Sequence, residues 1–372
     1  MNGSVSKMIG RAGALAAMLF IGVGQAAAQQ LADRVNRGVV EIVAGRTDGT
    51  AMRMVEDLAD MLNNTGTRRI LPVAGEGSLQ NIADVMVLRG IDIAVVQLDV
   101  LEYARKTLHP NLEQSLTYVA KLGNEELHLL ARADVTSVND LAGKKVNFGA
   151  PGDGASITGP AVFALTKVRA EATSYPPPLA LEKMRSGEIA AMAYVGGKPV
   201  PFFRALTPAD DFHFLAIPAD PEIVARYIPA QLTSEDYPAL ISHEPIDTVS
   251  VGTAMVVANL APDSERYRNI VNFVDAFFTQ FEQVQQAPNH PKWHEINLGA
   301  DLPGWKRFTA ADAWLKRNVV ASGATTNEQQ LREIFTRFLD ERTRLTGGPN
   351  LSAEEKTQMF TQFRQWQGSQ PR

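Results

Sequence analysis

The amino-acid sequence predicts an α/β protein whose body is two lobes joined by crossing strands, followed by a C-terminal helical extension. Three observations carry that expectation. Short apolar runs alternate with helical periodicity along most of the chain, and each run ends in a small-residue loop that opens the next helix. The length, 372 residues, exceeds what one ordinary core holds. Average apolar and charged fractions, 45% and 21%, exclude a disordered chain, a collagen or a multi-span membrane protein. With no Cys, disulfides, thiol catalysis and Cys-ligated metal centres are excluded too. The formal charge of −5 argues against nucleic acid as a partner.

The N-terminus reads as a cleavable secretory signal. Lys7 and Arg11 precede the apolar run Ala12 to Val23, which ends in Gly24-Gln25-Ala26-Ala27-Ala28. The run is shorter than the roughly 20 residues a membrane span needs, so residues 1–28 are expected to be removed on export to the periplasm. The mature chain then carries 34 basic against 41 acidic residues.

Val39 to Gly45 reads as a buried strand, and Met52, Val55, Leu58, Ala59 and Leu62 then recur at helical spacing. The unit repeats with strand Arg69 to Ala74, loop Gly75-Glu76-Gly77-Ser78 and helix Leu79 to Leu88. It repeats again with strand Ile91 to Val96, Gln97-Leu98-Asp99 and a helix through Tyr103. A second series starts after Leu127 to Arg132. Val138 to Leu141 is a short helix stopped by Gly143, and strand Val146 to Gly149 leads through Ala150 to Ser156 into a helix ending at Leu165. Ser174 to Pro178 reads as an extended connector, followed by helix Leu179 to Ser186 and strand Ile189 to Val195. Thr248 to Asn259 is a β-branched run able to pass between lobes, and Asn269 to Gln286 an amphipathic helix. These elements divide the chain into lobe I (29–130 and 248–320), lobe II (131–247) and the extension (321–372).

In the extension, Leu331, Ile334, Phe335, Phe338 and Leu339 form one apolar stripe. Ser352-Ala353-Glu354-Glu355 is a capping box ahead of Met359, Phe360, Phe363 and Trp366. The stripes either pack on the body or present a docking surface.

No dinucleotide, Walker, nucleophile-elbow or zincin motif is present, so neither catalytic residues nor a cofactor is expected. His290 and His294 stand four apart, but Pro291 disfavours the helix that would align them on a metal, and no metal site is expected. What recurs is the glycine-rich strand end feeding a helix. Such ends lie in the crevice where open α/β sheets bind ligands, and helix N-termini offer free N–H groups to a carboxylate or phosphate. Each helix dipole is worth about 0.3–1 kcal/mol, whereas micromolar affinity needs about 8 kcal/mol. Helix ends alone are insufficient. Closure of two lobes must supply the rest, with Tyr194 and Tyr227 as contact candidates or, equally, as core residues.

Ile91-Asp92-Ile93-Ala94-Val95-Val96-Gln97-Leu98-Asp99-Val100 resembles the "D-hydrophobic-A-hydrophobic-VQSDV" stretch of TAXI-type solute-binding proteins, the extracytoplasmic receptors of a class of TRAP transporters. Gly75 to Asn81, Asp140 to Lys145, Gly149 to Gly154, Tyr194 to Pro199, Tyr227 to Ala230 and Tyr237-Pro238 are similar in the same order, from Val39 to Leu315. The resemblance implies a bilobal periplasmic-binding-protein-like (type II) fold closing on a small carboxylate-bearing solute, an organic acid or amino acid, and passing it to TRAP-type membrane permease subunits. It implies no enzymatic activity.

Carried over residue by residue, the ligand-binding positions are Arg46, Thr47, Thr50, Ser78, Gln97, Asp153, Ala155, Ser156, Tyr194 and Gly196. The sequence departs from the family where Ala51-Met52 replace paired tyrosines and Leu98 replaces a serine. Asp48, Glu76 and Asp153 also put acid into three cleft loops, which disfavours an anion unless Arg46 or Lys198 compensates. Asp48 and Asp153 either cap helices or meet a cationic or hydroxyl-rich part of the ligand. The alternative function is a periplasmic metabolite-sensing module presenting its ligand to a membrane signalling protein through the C-terminal helices.

Overall fold

A computed structural model describes residues 38–63, 68–218, 220–322, 336 and 352–360. The export signal and the Leu331–Leu339 stripe, except position 336, therefore lie outside the described residues, as do Phe363 and Trp366. Contacts group the chain into one unit through Ala311 and a second from Asp312.

Ten strands of the first unit form one mixed sheet in the order β2-β1-β3-β10-β4-β7-β5-β6, with β8 added to β4 and β9 to β10. One flank holds β1 (Val39–Gly45), β2 (Arg69–Ala74) and β3 (Ile93–Gln97), all parallel. The other holds β5 (Lys145–Asn147), β6 (Glu171–Thr173) and β7 (Ala191–Gly196), also parallel. Each strand of β1, β2 and β3 feeds a helix: α1 (Thr50–Leu62), α2 (Ser78–Val87) and α3 (Leu98–Thr107). On the β7 flank, α4 (Ala155–Thr166) follows β5 and α5 (Pro177–Arg185) follows β6.

Two long antiparallel strands join the flanks. They are β4 (Leu116–Arg132) and β10 (Ile246–Ala258). β10 pairs β9 (Ile228–Leu232) through residues 246–250 and β3 through 253–257. β4 pairs β10 along its first part, and its last residues pair β7 and β8 (Phe212–Phe214). The sequence expectation saw only the final third of β4, and missed β6, β8 and β9.

Packing follows the strand period of two. Ala191, Ala193 and Val195 of β7 enter one apolar cluster with Leu127, Leu129 and Phe163. Met192 and Tyr194 enter another with Leu130, Phe203 and Tyr237. The β1 flank has its own cluster around Val43, Ile82, Val96 and Val256. Two strands thus pass between two sheet-and-helix flanks of one mixed α/β architecture.

Two boundaries differ from expectation for local reasons. Pro177 opens α5 at its first turn, where its missing N–H costs nothing, so the expected connector is shorter. The helix expected over Asn269 to Gln286 starts at Glu265, capped by Ser264 Oγ accepting the Tyr267 N–H at 3.1 Å, and breaks at Gln280. In the second unit, α6 (Thr309–Ser322), which begins in the first, continues past Asp312, and residues 353–360 are helical. The expected capping box is present: Ser352 Oγ accepts the Glu355 N–H, and Glu355 Oε2 accepts the Ser352 N–H at 2.8 Å.

Candidate functional site

The ladder registers bring the loop ends to one level of the sheet. Thr253 of β10 pairs Gln97 at the end of β3, Gly252 pairs Asn124, and Glu126 of β4 pairs Gly196 at the end of β7. A bulge interrupts β10 between Gly252 and Ala254, where the strand passes from one flank to the other. A cavity of about 60 Å³ opens at this crossing.

The β1 flank supplies one wall. Gly49 precedes α1 with no side-chain cap, so the first-turn N–H groups are uncapped by any side chain, and Thr50, Ala51 and Met52 line the cavity. Ser78 Oγ at the start of α2 accepts the Gln97 backbone N–H at 2.9 Å, tying the second loop to the third strand. Behind them the fully buried Asn81 donates to Ala44 O and Val95 O, both at 2.9 Å, and so holds the ends of β1 and β3 together. The β7 flank supplies the opposite wall with Asp153, Gly154, Tyr194 and Gly196, and the crossing strands supply Glu125 and Thr253.

The two flanks touch. Thr50 Oγ1 donates to Gly197 O at 2.5 Å, and Thr158 Oγ1 on α4 donates to Asp99 Oδ2 on α3 at 2.7 Å. Gly77 has φ 141° and faces backbone: a Cβ there would lie 2.6 Å from both Asp153 Cα and Gly152 O. Gln97 fills the space beside Gly154, whose Cβ would overlap its Oε1. The arrangement is a closed cleft.

Its electrostatics are acidic. Three carboxylates line the cavity, Glu76, Glu125 and Asp153, against one cation, Arg46. That cation is committed: Arg46 Nε and Nη2 bind the two Asp48 oxygens at 3.1 Å each. Lys198 does not compensate either, because its Nζ donates to Gln231 O at 2.7 Å and Asp236 Oδ2 at 2.9 Å. Burial pushes the Glu125 carboxyl up to about 7 against the Gln97 Nε2 donor at 2.6 Å. Burial likewise pushes Asp153 up to about 6, although its Oδ1 accepts the Ala155 N–H at 3.1 Å. Burial raises the Tyr194 hydroxyl as well, so it stays protonated. Asp153 thus caps its helix and lines the cavity at once, whereas Asp48 pairs Arg46 and caps nothing.

Of the ten positions expected from sequence, Arg46, Thr50, Ser78, Gln97, Asp153, Tyr194 and Gly196 line this cavity together. Thr47 is exposed outside it, Ala155 is buried behind Asp153, and Ser156 Oγ turns back to Asp153 O at 2.6 Å. Tyr227 lines a separate groove with Asp99, Lys121 and Arg226. His290 is half-buried, and burial lowers its pKa to about 4. Among the described residues no cluster of His, Asp and Glu could hold a metal ion, and no helix is long and apolar enough to cross a membrane.

Sequence reasoning missed Glu125 and Thr253. The signal for Glu125 was available: Asn124-Glu125-Glu126 interrupts an otherwise mostly apolar run from Leu116 to Leu130.

Residues 42–304 match the family described as the NMT1-like family. Among solved structures, the alkanesulfonate-binding protein SsuA from Xanthomonas axonopodis pv. citri, bound to MOPS, is 13% identical over 70% of this chain and 85% of its own, with a TM-score of 0.43. A TctC solute binding protein from Polaromonas is 17% identical over 65% and 88%, TM-score 0.38. The periplasmic VFT2 domain of BvgS from Bordetella pertussis is 12% identical over 69% and 95%, TM-score 0.39. All three likenesses are remote, and the fold stands on the chain's own strand order.

Proposed function

This chain belongs to the NMT1-like family, and from that premise and the walls of the cavity we propose that it is a non-enzymatic, extracytoplasmic solute-binding receptor. The observation that carries the reading is the cavity itself, walled by helix starts and strand ends of both flanks and shut by bonds between them. In this reading the lobes are residues 29–130 with 248–320, and 131–247. They close by hinge motion about the crossing strands β4 and β10.

The solute carries a carboxylate, seated at the uncapped first turn of α1, where N–H groups and the positive dipole end favour an anion. Thr50, Ser78, Gln97, Tyr194 and Gly196 form the rest of the seat. The protein is exported to the periplasm by its N-terminal signal and delivers the solute to TRAP-type permease subunits, as the TAXI-like motif around Gln97 suggests.

Two measurements test this. Mass spectrometry of small molecules retained by natively purified protein identifies the solute. A solute present at a hundred times its Kd then stabilises the fold by about 2.7 kcal/mol, and X-ray scattering reports compaction. A protein that retains nothing and is stabilised by no carboxylate is not such a receptor. Uptake that persists unchanged in cells lacking the chain refutes delivery to a permease.

A further inference from the structure

An anion seated at the start of α1 shares its cavity with three acids. There Glu125 on β4, Asp153 at the start of α4 and Glu76 before α2 face one small space. Each nearby cation is committed elsewhere. Arg46 is held by Asp48, and Lys292 Nζ is bonded to Glu126 Oε1 at 2.6 Å and to Glu295 Oε1 at 2.8 Å. An independent observation points the same way. Gln97 is 5% exposed and lines the cavity, and its Nε2 is spent on Glu125, yet its Oε1 has no hydrogen-bond partner among the described residues. A buried acceptor without a donor is costly, and so is a buried carboxylate without a cation.

We infer that the solute bears a cationic nitrogen, an ammonium or guanidinium group, which donates to Glu125 and Asp153 beside the unpartnered Gln97 Oε1. This rests on the receptor reading and narrows its substrate class to amine-bearing carboxylic acids, excluding dicarboxylates. Charge balance supports it. A dicarboxylate would add negative charge to a wall that already holds three carboxylates, whereas an ammonium satisfies the acceptors that the protein leaves open. Tyr194 closes the same wall.

A cationic solute group would bind with a definite pH dependence. The groups facing the seat are Arg46 and Asp48 from the first loop, Glu76, Glu125, Asp153 and Tyr194, with Glu126 and Lys292 behind them. Burial raises Glu125 to about 7 and Asp153 to about 6, into the neutral range. A cation binds their ionised forms, so its affinity rises as pH rises through that range. A dicarboxylate shows the opposite slope.

The test is thermal shift and calorimetry on the mature chain at about pH 5 and about pH 8, which bracket both groups. The probes are succinate and glutarate as dicarboxylates, alanine, lysine and arginine as amine-bearing acids, and putrescine as a cation without carboxylate. Mass spectrometry of the retained molecule runs beside them. The expected result is binding of an amine-bearing acid that strengthens toward high pH. Glu125→Gln and Asp153→Asn, which keep shape and an acceptor, each weaken it by about tenfold to a hundredfold, as loss of a charge-assisted bond does.

Tighter binding of succinate or glutarate, or a retained molecule without basic nitrogen, overturns the inference and leaves the receptor reading intact. Binding of an amine-bearing acid that neither variant alters overturns the assigned seat. Putrescine bound without any acid supports the cation seat and removes the carboxylate from the receptor reading. If no probe binds and nothing is retained, both readings fall together.

Discussion

Gly77→Ala should hold the cleft open. The added Cβ would lie 2.6 Å from Asp153 Cα and 2.6 Å from Gly152 O, where carbon contacts normally sit at about 3.5–4.0 Å. Both neighbours are backbone, so no rotamer change relieves the clash, and the flanks must part by about 1 Å. At that separation the Thr50–Gly197 and Thr158–Asp99 bonds, at 2.5 and 2.7 Å in the closed cleft, are lost. Two such bonds contribute about 2 kcal/mol net, so the affinity for the retained solute falls roughly thirtyfold.

The substitution also strains the backbone, since φ 141° with ψ −179° is a region open essentially to glycine alone. That strain, about 1–3 kcal/mol, is present in open and closed forms alike and lowers stability without shifting closure. Gly143→Ala separates the two effects, because Gly143 has φ 72° but nothing within 4 Å of its Cβ position. It should lower Tm and leave binding unchanged. Closure is read by energy transfer between dyes on Cys introduced at Arg89 and Glu182, exposed positions on opposite flanks of a chain with no other Cys. Gly77→Ala protein that binds with wild-type affinity and reaches the wild-type dye distance refutes the reasoning.

Three further outcomes are expected. Thr50→Val, which removes the hydroxyl and keeps the shape, should weaken solute binding by about 1–3 kcal/mol because Gly197 O is left buried and unpaired, while Thr50→Ser retains most of it; equal calorimetric affinities would contradict this. Glu125 has a folded pKa raised to about 7 from 4.5, so its protonated form favours folding and that contribution is lost as pH rises through about 7. At about 1.4 kcal/mol per unit, Glu125→Gln should gain on the order of 3 kcal/mol over the wild type between about pH 4 and pH 8 without solute; urea titrations that show a constant gap would contradict it. Lys292→Met leaves Glu126 buried without its cation and should cost about 3–5 kcal/mol in urea unfolding, most of it recovered when Glu126→Leu is added.

The strands of the β1 flank were legible because each is a short apolar run closed by glycine, alanine or a polar residue. Val39–Gly45 and Arg69–Ala74 match the expectation at both ends. β4 was not legible, because Lys121, Asn124, Glu125 and Glu126 break its apolar pattern in mid-strand. Those residues sit where the strand crosses between flanks, and there the pattern follows the cavity and the buried Lys292–Glu126 pair rather than a core. β9 begins Ile228-Pro229 on the free side of β10, a place where a missing N–H is tolerated, so proline disguised it. β6 and β8 are three residues each, too short for any periodicity to register.

The cavity walls were visible as a set of glycine-rich strand ends, and two of the lining acids as Glu76 and Asp153, while Glu125 was not. What sequence could not give is the pairing that decides the balance. Arg46 and Lys198 looked equally able to offset those acids until geometry committed one to Asp48 and the other to Asp236.

That balance bears on how closure is coupled to the solute. On the receptor reading, an open cleft leaves Glu125 and Asp153 hydrated, and they ionise there at little cost. Closing on that reading desolvates them toward each other and toward Glu76, and burial raises both carboxyls in the structure. Above about pH 7 an empty protein therefore closes against a charge penalty, while the inter-flank bonds at Thr50 and Asp99 favour closing. A solute with a cationic nitrogen removes the penalty and leaves the bonds, so it shifts the equilibrium by more than its own contacts alone. A solute of the right shape without that charge would enter and leave the penalty in place. On the cation proposal, specificity lies in the closing step, and a neutral isostere should differ from the cognate solute more in compaction than in encounter rate. Stopped-flow energy transfer with alanine and lactate, which differ in the ammonium, tests this: equal closed fractions for the two would show that charge at Glu125 and Asp153 does not gate the cleft.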